Sequence, residues 1–452
     1  MSLRLYNTLA GKIEEFKPIS DKKVGLYICG PTVYDFAHLG NLRTYIFEDI
    51  LRRVLEYDGY QVKQVVNITD VDDKSIKRSR EEGVELGELT SKYEKAFFED
   101  LEKLNIKKAD FYPKATEHIN EMSKLISKLL DKGFAYQASD GIYFAIGKFK
   151  DYGKLSRLSQ REIKIGARVV TDQYDKENAQ DFALWKFPSA SLGQVEPSWD
   201  VPFGRGRPGW HIECSAMSMK YLGEHFDIHT GGVDLIFPHH ENEIAQSEAV
   251  TGKKFVNWWL EGEHLLVSGQ KMAKSLGNFY TLRDLENKGF DPLAFRYLVL
   301  TAHWQKKLDF SWESLKAAQN ALSNLKAEVA SWDDLNRLDE SCLEFENGFK
   351  KTIENNLDTP AAIAVMWKLV KSNFPASAKR KSLLEMDAVL GLRLDKVKET
   401  RLPSKAQKLI EKREEARKAG DFDKADEIRQ QLKKMGIEVE DTPAGPKWKL
   451  RG

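Results

Sequence analysis

Four residues of metal-ligating type stand in three separated stretches of the chain. Cys29 ends the apolar run VGLYIC, Cys214 lies in GWHIECSAM, and His239 and Glu243 stand four apart in FPHHENE. Two thiolates, an imidazole and a carboxylate are allowed ligand types for a four-coordinate zinc ion. Pro238 suits the first position of a helix, from which His239 and Glu243 would project on one face. Taken singly each has an ordinary explanation, because buried cysteines are common and HHENE could be a charged helix face. The third cysteine, Cys342 in DESCLEF, is expected to fill the core of a helical bundle.

A second group is of the type that handles phosphate. His38-Leu39-Gly40-Asn41 falls where a first strand gives way to its helix, so the helix N-terminus would offer N–H groups and the positive end of its dipole to a phosphate. Gly40 lets a ligand approach the backbone closely, and His38 can donate to a phosphoryl oxygen. In SGQKMAKSLGN, Lys271 and Lys274 stand three apart between Gly269 and Gly277. Most lysine pairs are solvated surface. Two cations on a glycine-flanked loop can instead close over a triphosphate and neutralise charge that develops on departing pyrophosphate. No GxxxxGK[ST] is present there, so a Walker-type cradle is not on offer.

The elements that must position these groups follow from hydrophobic periodicity. Residues 24–30 read as a strand, 39–57 as a helix with Leu42, Ile46, Ile50 and Val54 at helical spacing, and 61–68 as a second strand. A strand, a helix and a strand in this span make a βαβ unit, which implies a parallel sheet with ligands at the carboxyl ends of its strands, where Cys29 and His38 lie. Helical, charged sequence from about 80 to 135 gives way to short β-like runs up to about 209, after which apolar β-rich chemistry resumes at GWHIECSAM. The sheet domain is therefore expected to be discontinuous. From about 312 to 398 the pattern is that of a helical bundle, and after Pro403 come two charged helices ending near Gly420 and Gly436 and a short β pair.

The whole is an α/β fold: a Rossmann-type parallel-sheet domain with an insertion, an α-helical bundle and a small C-terminal α/β module. The expected divisions are 1–245, with the insertion at about 115–205, then 246–312, 313–402 and 403–452. With 70 Lys and Arg against 69 Asp and Glu, net charge carries no global nucleic-acid footprint. Three cysteines without a CxxC pair argue for a reducing compartment, and there is no uncharged apolar run of about 18 residues. These features lead us to expect a soluble cytoplasmic protein without membrane contact.

The sequence resembles the cysteinyl-tRNA synthetases, which are class I aminoacyl-tRNA synthetases. CGPTVYDFAHLGN resembles the first signature of that family and KMAKS its second, with further likeness in NITDVDDK, GARV, DFALWK, GRPGWHIECSAM, FDIHTGGVDLIFPHHENEIAQSE and the C-terminal EARKAGDFDKADEIRQQLKKMGIEVEDTP. Asn41 stands where the first motif has its second histidine, and Ala273 where the second has serine. ENNLDTP lacks the acidic pair the family carries before its Thr-Pro.

The resemblance implies one zinc per chain on Cys29, Cys214, His239 and Glu243, and Mg²⁺ with ATP. It implies catalytic roles for His38, Asn41, Lys271 and Lys274. ATP or its adenylate would lie against Gly30, Thr32, His38, Gly40, Asn41, His229, Gly231, Gly232, Asp234 and Lys274, and cysteine against Cys29, Thr69 and Trp210. The implied reaction joins L-cysteine to tRNA(Cys) through cysteinyl-adenylate, the 2′-hydroxyl of the terminal ribose attacking, on a monomeric enzyme. Residues 246–312 would then carry the KMAKS loop and contact the tRNA stem, and 403–452 the anticodon. Zinc would choose the thiol over a serine hydroxyl, which pocket shape alone separates by only about 1–3 kcal/mol. Two rival readings are a cysteine ligase acting on a small-molecule amine, whose relatives lack the tail, and a catalytically silent zinc- or RNA-binding paralogue, against which the intact motif residues speak.

Overall fold

The computed structural model describes residues 2–158, 163–169, 179–188, 197–272, 276–332, 340–397, 404–442 and 445–450. Lys274 and Ala273, both singled out above, lie outside the described residues, as does Pro403.

The parallel-sheet layer is built on four strands and the helices that join them. In chain order they are β1 (Lys23–Ile28), α1 (Leu39–Tyr57), β2 (Gln61–Val66), α2 (Trp210–Leu222), β3 (Phe226–Gly232), α3 (Glu241–Thr251) and β4 (Val256–Gly262). The strands pair in the order β4-β3-β1-β2, all parallel, with Ile28 opposite both Thr230 and Val66. Parallel strands need crossover connections, and α1 supplies the first. Its buried face carries Leu42, Ile46, Ile50 and Val54, the periodic residues of the sequence, together with Leu39. Helix α1 keeps its expected bounds, whereas the flanking strands are one or two residues shorter than their apolar runs.

Between β2 and α2 the chain leaves the sheet, as the change of pattern predicts. It passes through helices Asp73–Glu82, Leu86–Lys103 and Ile119–Asp131 and then forms a separate five-stranded sheet that includes Gly141–Phe144, Ala179–Lys186 and Arg207–Pro208. Beyond β4 come Leu265–Val267 and Gln270–Lys271, which form a hairpin through Ser268 and Gly269, both at positive φ. Helices Trp312–Ala330, Leu343–Ile353, Thr359–Val370 and Ala376–Leu390 follow.

The packing is less modular than the sequence suggests. One continuous apolar core runs from Leu26 and Ile50 of the sheet layer through Phe295 and Leu322 to Met386 and Leu390 of the bundle. The tail helices Ser404–Lys418 and Phe422–Lys434 and the strand after them have their own small core of Ala406, Ile410, Ile428, Leu432, Ile437 and Val439. Cys342 is buried in the shared core, its N–H donating to Ser382 Oγ at 2.7 Å, so it behaves as the core filler expected of it.

One local expectation holds. Phe237 is the single residue with extended φ/ψ within Ile236–His240, so helical backbone begins at Pro238 and continues into α3. Pro238 therefore takes the first helical position, as its fixed φ favours. His239 and Glu243, one turn apart on that helical stretch, meet with Nε2 and Oε1 3.2 Å apart.

Candidate active site and metal centre

The carboxyl ends of β1 and β3 and the N-termini of α1 and α2 surround a cavity of about 330 Å³. Eleven of the residues expected to act there line it: Cys29, Gly30, Thr32, His38, Asn41, Trp210, Cys214, Gly231, Gly232, Asp234 and His239. Two glycines are required by close packing. A Cβ on Gly30 would stand 1.6 Å from the carbonyl oxygen of Asn67, and one on Gly231 would stand 2.8 Å from the His240 ring.

At the inner wall of this cavity the four ligand-type residues converge. Cys29 and Cys214 bring their sulfurs to 3.9 Å, Cys29 Sγ lies 3.8 Å from Glu243 Oε1, and one ligand atom from each of Cys29, Cys214, His239 and Glu243 lies within 4.8 Å of the others. Tetrahedral zinc with the usual bond lengths has edges of about 3.8 Å between sulfurs and about 3.3 Å between nitrogen and oxygen. The observed separations fit that figure. Burial pushes the Cys29 thiol well above its usual value, with Cys214 and then Glu243 adding to the shift, and burial raises Cys214 too. A buried sulfur and a buried carboxylate, met by a half-buried sulfur at the cavity wall, have the donor chemistry of a cation site. Trp210 stacks on His239 with centroids 4.1 Å apart, and the His211 and His239 Nδ1 atoms are 2.8 Å apart. Burial pushes His211 down to about 3, with Lys186 and His240 acting the same way, so that ring is neutral.

The phosphate-handling end is organised by a capping box. His38 is the N-cap of α1: its Nδ1 accepts the Asn41 N–H at 3.1 Å, and Asn41 Oδ1 accepts the His38 N–H at 3.2 Å. Since Nδ1 is an acceptor, the ring proton resides on Nε2, which is left as a donor. Burial lowers the His38 pKa against the pull of Asp234, so the ring is neutral at neutral pH. The helix end is less open than its sequence suggests, because the Leu39 N–H donates to Tyr280 O and the Asn41 N–H to His38.

Other expected residues are not part of the cavity lining. Thr69 is buried with its hydroxyl donating to Glu213 Oε2 at 2.7 Å, and His229 is buried against Glu243 at 2.9 Å. Lys271 is exposed on the hairpin, its carbonyl accepting from Asn278 Nδ2 at 3.1 Å. Sequence reasoning missed Asn67, whose Oδ1 accepts the Gly30 N–H at 2.8 Å and lies 3.7 Å from Cys214 Sγ, and Phe279, edge-on to His38 at 5.3 Å. Asn67 sits in the quoted NITDVDDK, the only signal that could have found it.

A parallel sheet with this cavity at its carboxyl edge is the catalytic fold of the class I aminoacyl-tRNA synthetases. Residues 15–320 match the family described as tRNA synthetases class I (C) catalytic domain, and residues 399–448 match the Cysteinyl-tRNA ligase anticodon binding domain. Among solved structures, methionyl-tRNA synthetase of Mycobacterium tuberculosis in complex with methionyl-adenylate superposes with a TM-score of 0.59 at 15% identity, covering 82% of this chain and 90% of that one. That likeness is one of fold. The chain is 49% identical to the cysteine–tRNA ligase of Brachyspira hyodysenteriae, with 99% of each covered, and 45% identical to that of Thermococcus onnurineus, again with 99% of each covered. The chain belongs to the cysteine–tRNA ligase family. It is a ligase, and no helix among the described residues is long and apolar enough to cross a membrane.

Proposed function

We propose that this enzyme activates L-cysteine with ATP and transfers it to tRNA(Cys), with one zinc ion on Cys29, Cys214, His239 and Glu243. The observation that carries the reading is the meeting, in one cavity, of a thiol-containing metal set and a capped helix N-terminus that can face a phosphate. When bound, zinc supplies a soft Lewis acid that prefers a thiolate to a hydroxyl. The protein's own groups do the rest. Trp210, stacked on His239, closes one side of the amino-acid pocket, and Thr69, fixed by Glu213, stands behind it. Gly30, Thr32, Gly231, Gly232 and Asp234 line the space for the nucleotide, with Gly40 and buried His229 supporting it.

In the first step the cysteine carboxylate attacks the α-phosphorus of ATP and pyrophosphate departs. His38 donates from Nε2 to the α-phosphate side, Asn41 holds that ring, and Lys271 and Lys274 hold the pyrophosphate, whose charge Mg²⁺ bound with ATP would share. In the second step a ribose hydroxyl of the tRNA terminus attacks the activated carbonyl and AMP departs. Residues 1–245 would be the catalytic domain, 246–312 the KMAKS-loop and stem-contact region, 313–402 the bundle, and 403–452 the anticodon reader. We further propose a monomer working in the cytoplasm. Charging of bulk tRNA with cysteine in the presence of ATP is the test. Cysteinyl-tRNA should form, and failure of the zinc-loaded protein to make it would overturn the assignment.

A further inference from the structure

Behind the four ligands just described lies a second set that shares two of them. Cys29, His229, His240 and Glu243 also bring one ligand atom each within 4.8 Å of the others. Cys29 Sγ lies 3.4 Å from His240 Nε2, and His229 Nε2 lies 2.9 Å from Glu243 Oε2. The edges of a tetrahedral ion with one sulfur ligand are about 3.5 Å to nitrogen and about 3.3 Å between nitrogen and oxygen. Both histidines are fully buried, and each second ring nitrogen is occupied: His240 Nδ1 is 2.9 Å from Glu261 Oε1 and His229 Nδ1 is 3.3 Å from Thr230 O. A carboxylate or carbonyl on the far nitrogen is how metal-binding imidazoles are oriented. The rings are also held by packing, His229 lying parallel to Trp259 at 4.6 Å and against His240 at 4.6 Å.

From this geometry we infer a second, inner metal station: a divalent ion of the zinc type can be held by Cys29, His229, His240 and Glu243 instead of by the outer set. Because Cys29 and Glu243 belong to both, one ion occupies one station at a time. The outer set, with two thiolates, is the softer and holds the ion in the intact protein. The inner set, with one thiolate and two imidazoles, retains it when Cys214 is lost or withdrawn. The inference rests on the metal centre proposed above, and zinc analysis of the unaltered protein tests that centre separately.

The experiment uses the full chain, dialysed against buffered zinc and, in parallel, against Co²⁺ alone, with thermal melts on every variant. Cys214→Ala should keep one ion per chain, and its cobalt form should show about half the thiolate charge-transfer intensity of the unaltered protein. Adding His229→Gln and His240→Gln should abolish that residual binding. A Cys214→Ala protein that melts cooperatively yet holds no ion would overturn the inference. So would residual binding that is unchanged by the two added substitutions. His239→Gln gives an independent arm that leaves both thiols in place. Its metal affinity should fall by at least about 10-fold when His229→Gln and His240→Gln are added, and no change would equally contradict an inner station.

Discussion

At the scale of single residues, the two ends of one cavity have separate proposed tasks, and substitutions should separate them. Replacing Cys214 by Ser should weaken cysteine binding far more than ATP binding, because the thiol is read at the metal set and the nucleotide lies toward α1; equal losses for both ligands would count against the division. His38→Ala should slow adenylate formation by about 10²–10³-fold, the usual cost of one transition-state donor, as read by single-turnover pyrophosphate release. The pH profile gives a second check. Burial lowers the His38 pKa, so its neutral, Nε2-protonated form persists to more acid pH than an ordinary imidazole near 6.5 allows. The activation rate should therefore hold its pH 7 value past the point, near 6.5, where an ordinary imidazole would be half protonated, and decline only in more acid solution. The four ligand-type residues that converge at the cavity wall were legible as a candidate set because few residue types bind zinc and these stand in three short motifs. Asn67 and His240 were not singled out, and His229 was singled out only for the nucleotide, because which buried side chains face one another depends on how α2, α3 and β3 stack.

At the scale of elements, helix α1 is the part on which most depends. Its N-terminus carries His38 and its far end is fixed by buried charges. Asp49 Oδ2 accepts from Arg53 Nε at 2.7 Å and from Arg296 Nη2 at 2.6 Å, while Arg53 and Arg296 also donate to the carbonyls of Ala388 and Leu390 at the end of the bundle. Burial works to raise the Asp49 pKa, but Arg296 and Arg53 outweigh it and hold it below the usual carboxylate range. Removing one member leaves buried charge uncompensated, so Asp49→Asn should cost about 3–5 kcal/mol in thermal or denaturant unfolding at pH 7. Because the folded pKa is depressed, this contribution is present above the unfolded value and is lost as pH falls through the folded one. The penalty of the variant should thus shrink in strong acid. Helix α1 was readable because its apolar spacing repeats from Leu42 through Val54. The helix start at Pro238 was legible as well, whereas the extended Phe237 that kinks the chain just before it was not, because no residue type signals that kink.

At the scale of the whole molecule, the discontinuous sheet was legible as a change of pattern near 136 and a return near 209. The shared core of sheet and bundle was not, because it rests on contacts between residues as distant as Leu26 and Leu390. The tail has its own core, which makes its removal a clean operation. Deleting 404–452 should leave cysteine-dependent pyrophosphate exchange near its normal rate and raise KM for tRNA; unchanged charging would mean that the tail does not read the anticodon. If one chain joins a thiol-reading metal set to an ATP site, it should activate cysteine and not serine, which amino-acid-dependent ATP–pyrophosphate exchange with the zinc-loaded full chain decides. Exchange should be robust with L-cysteine and absent with L-serine at the same concentration. Comparable exchange with serine, or none with cysteine, would contradict the account.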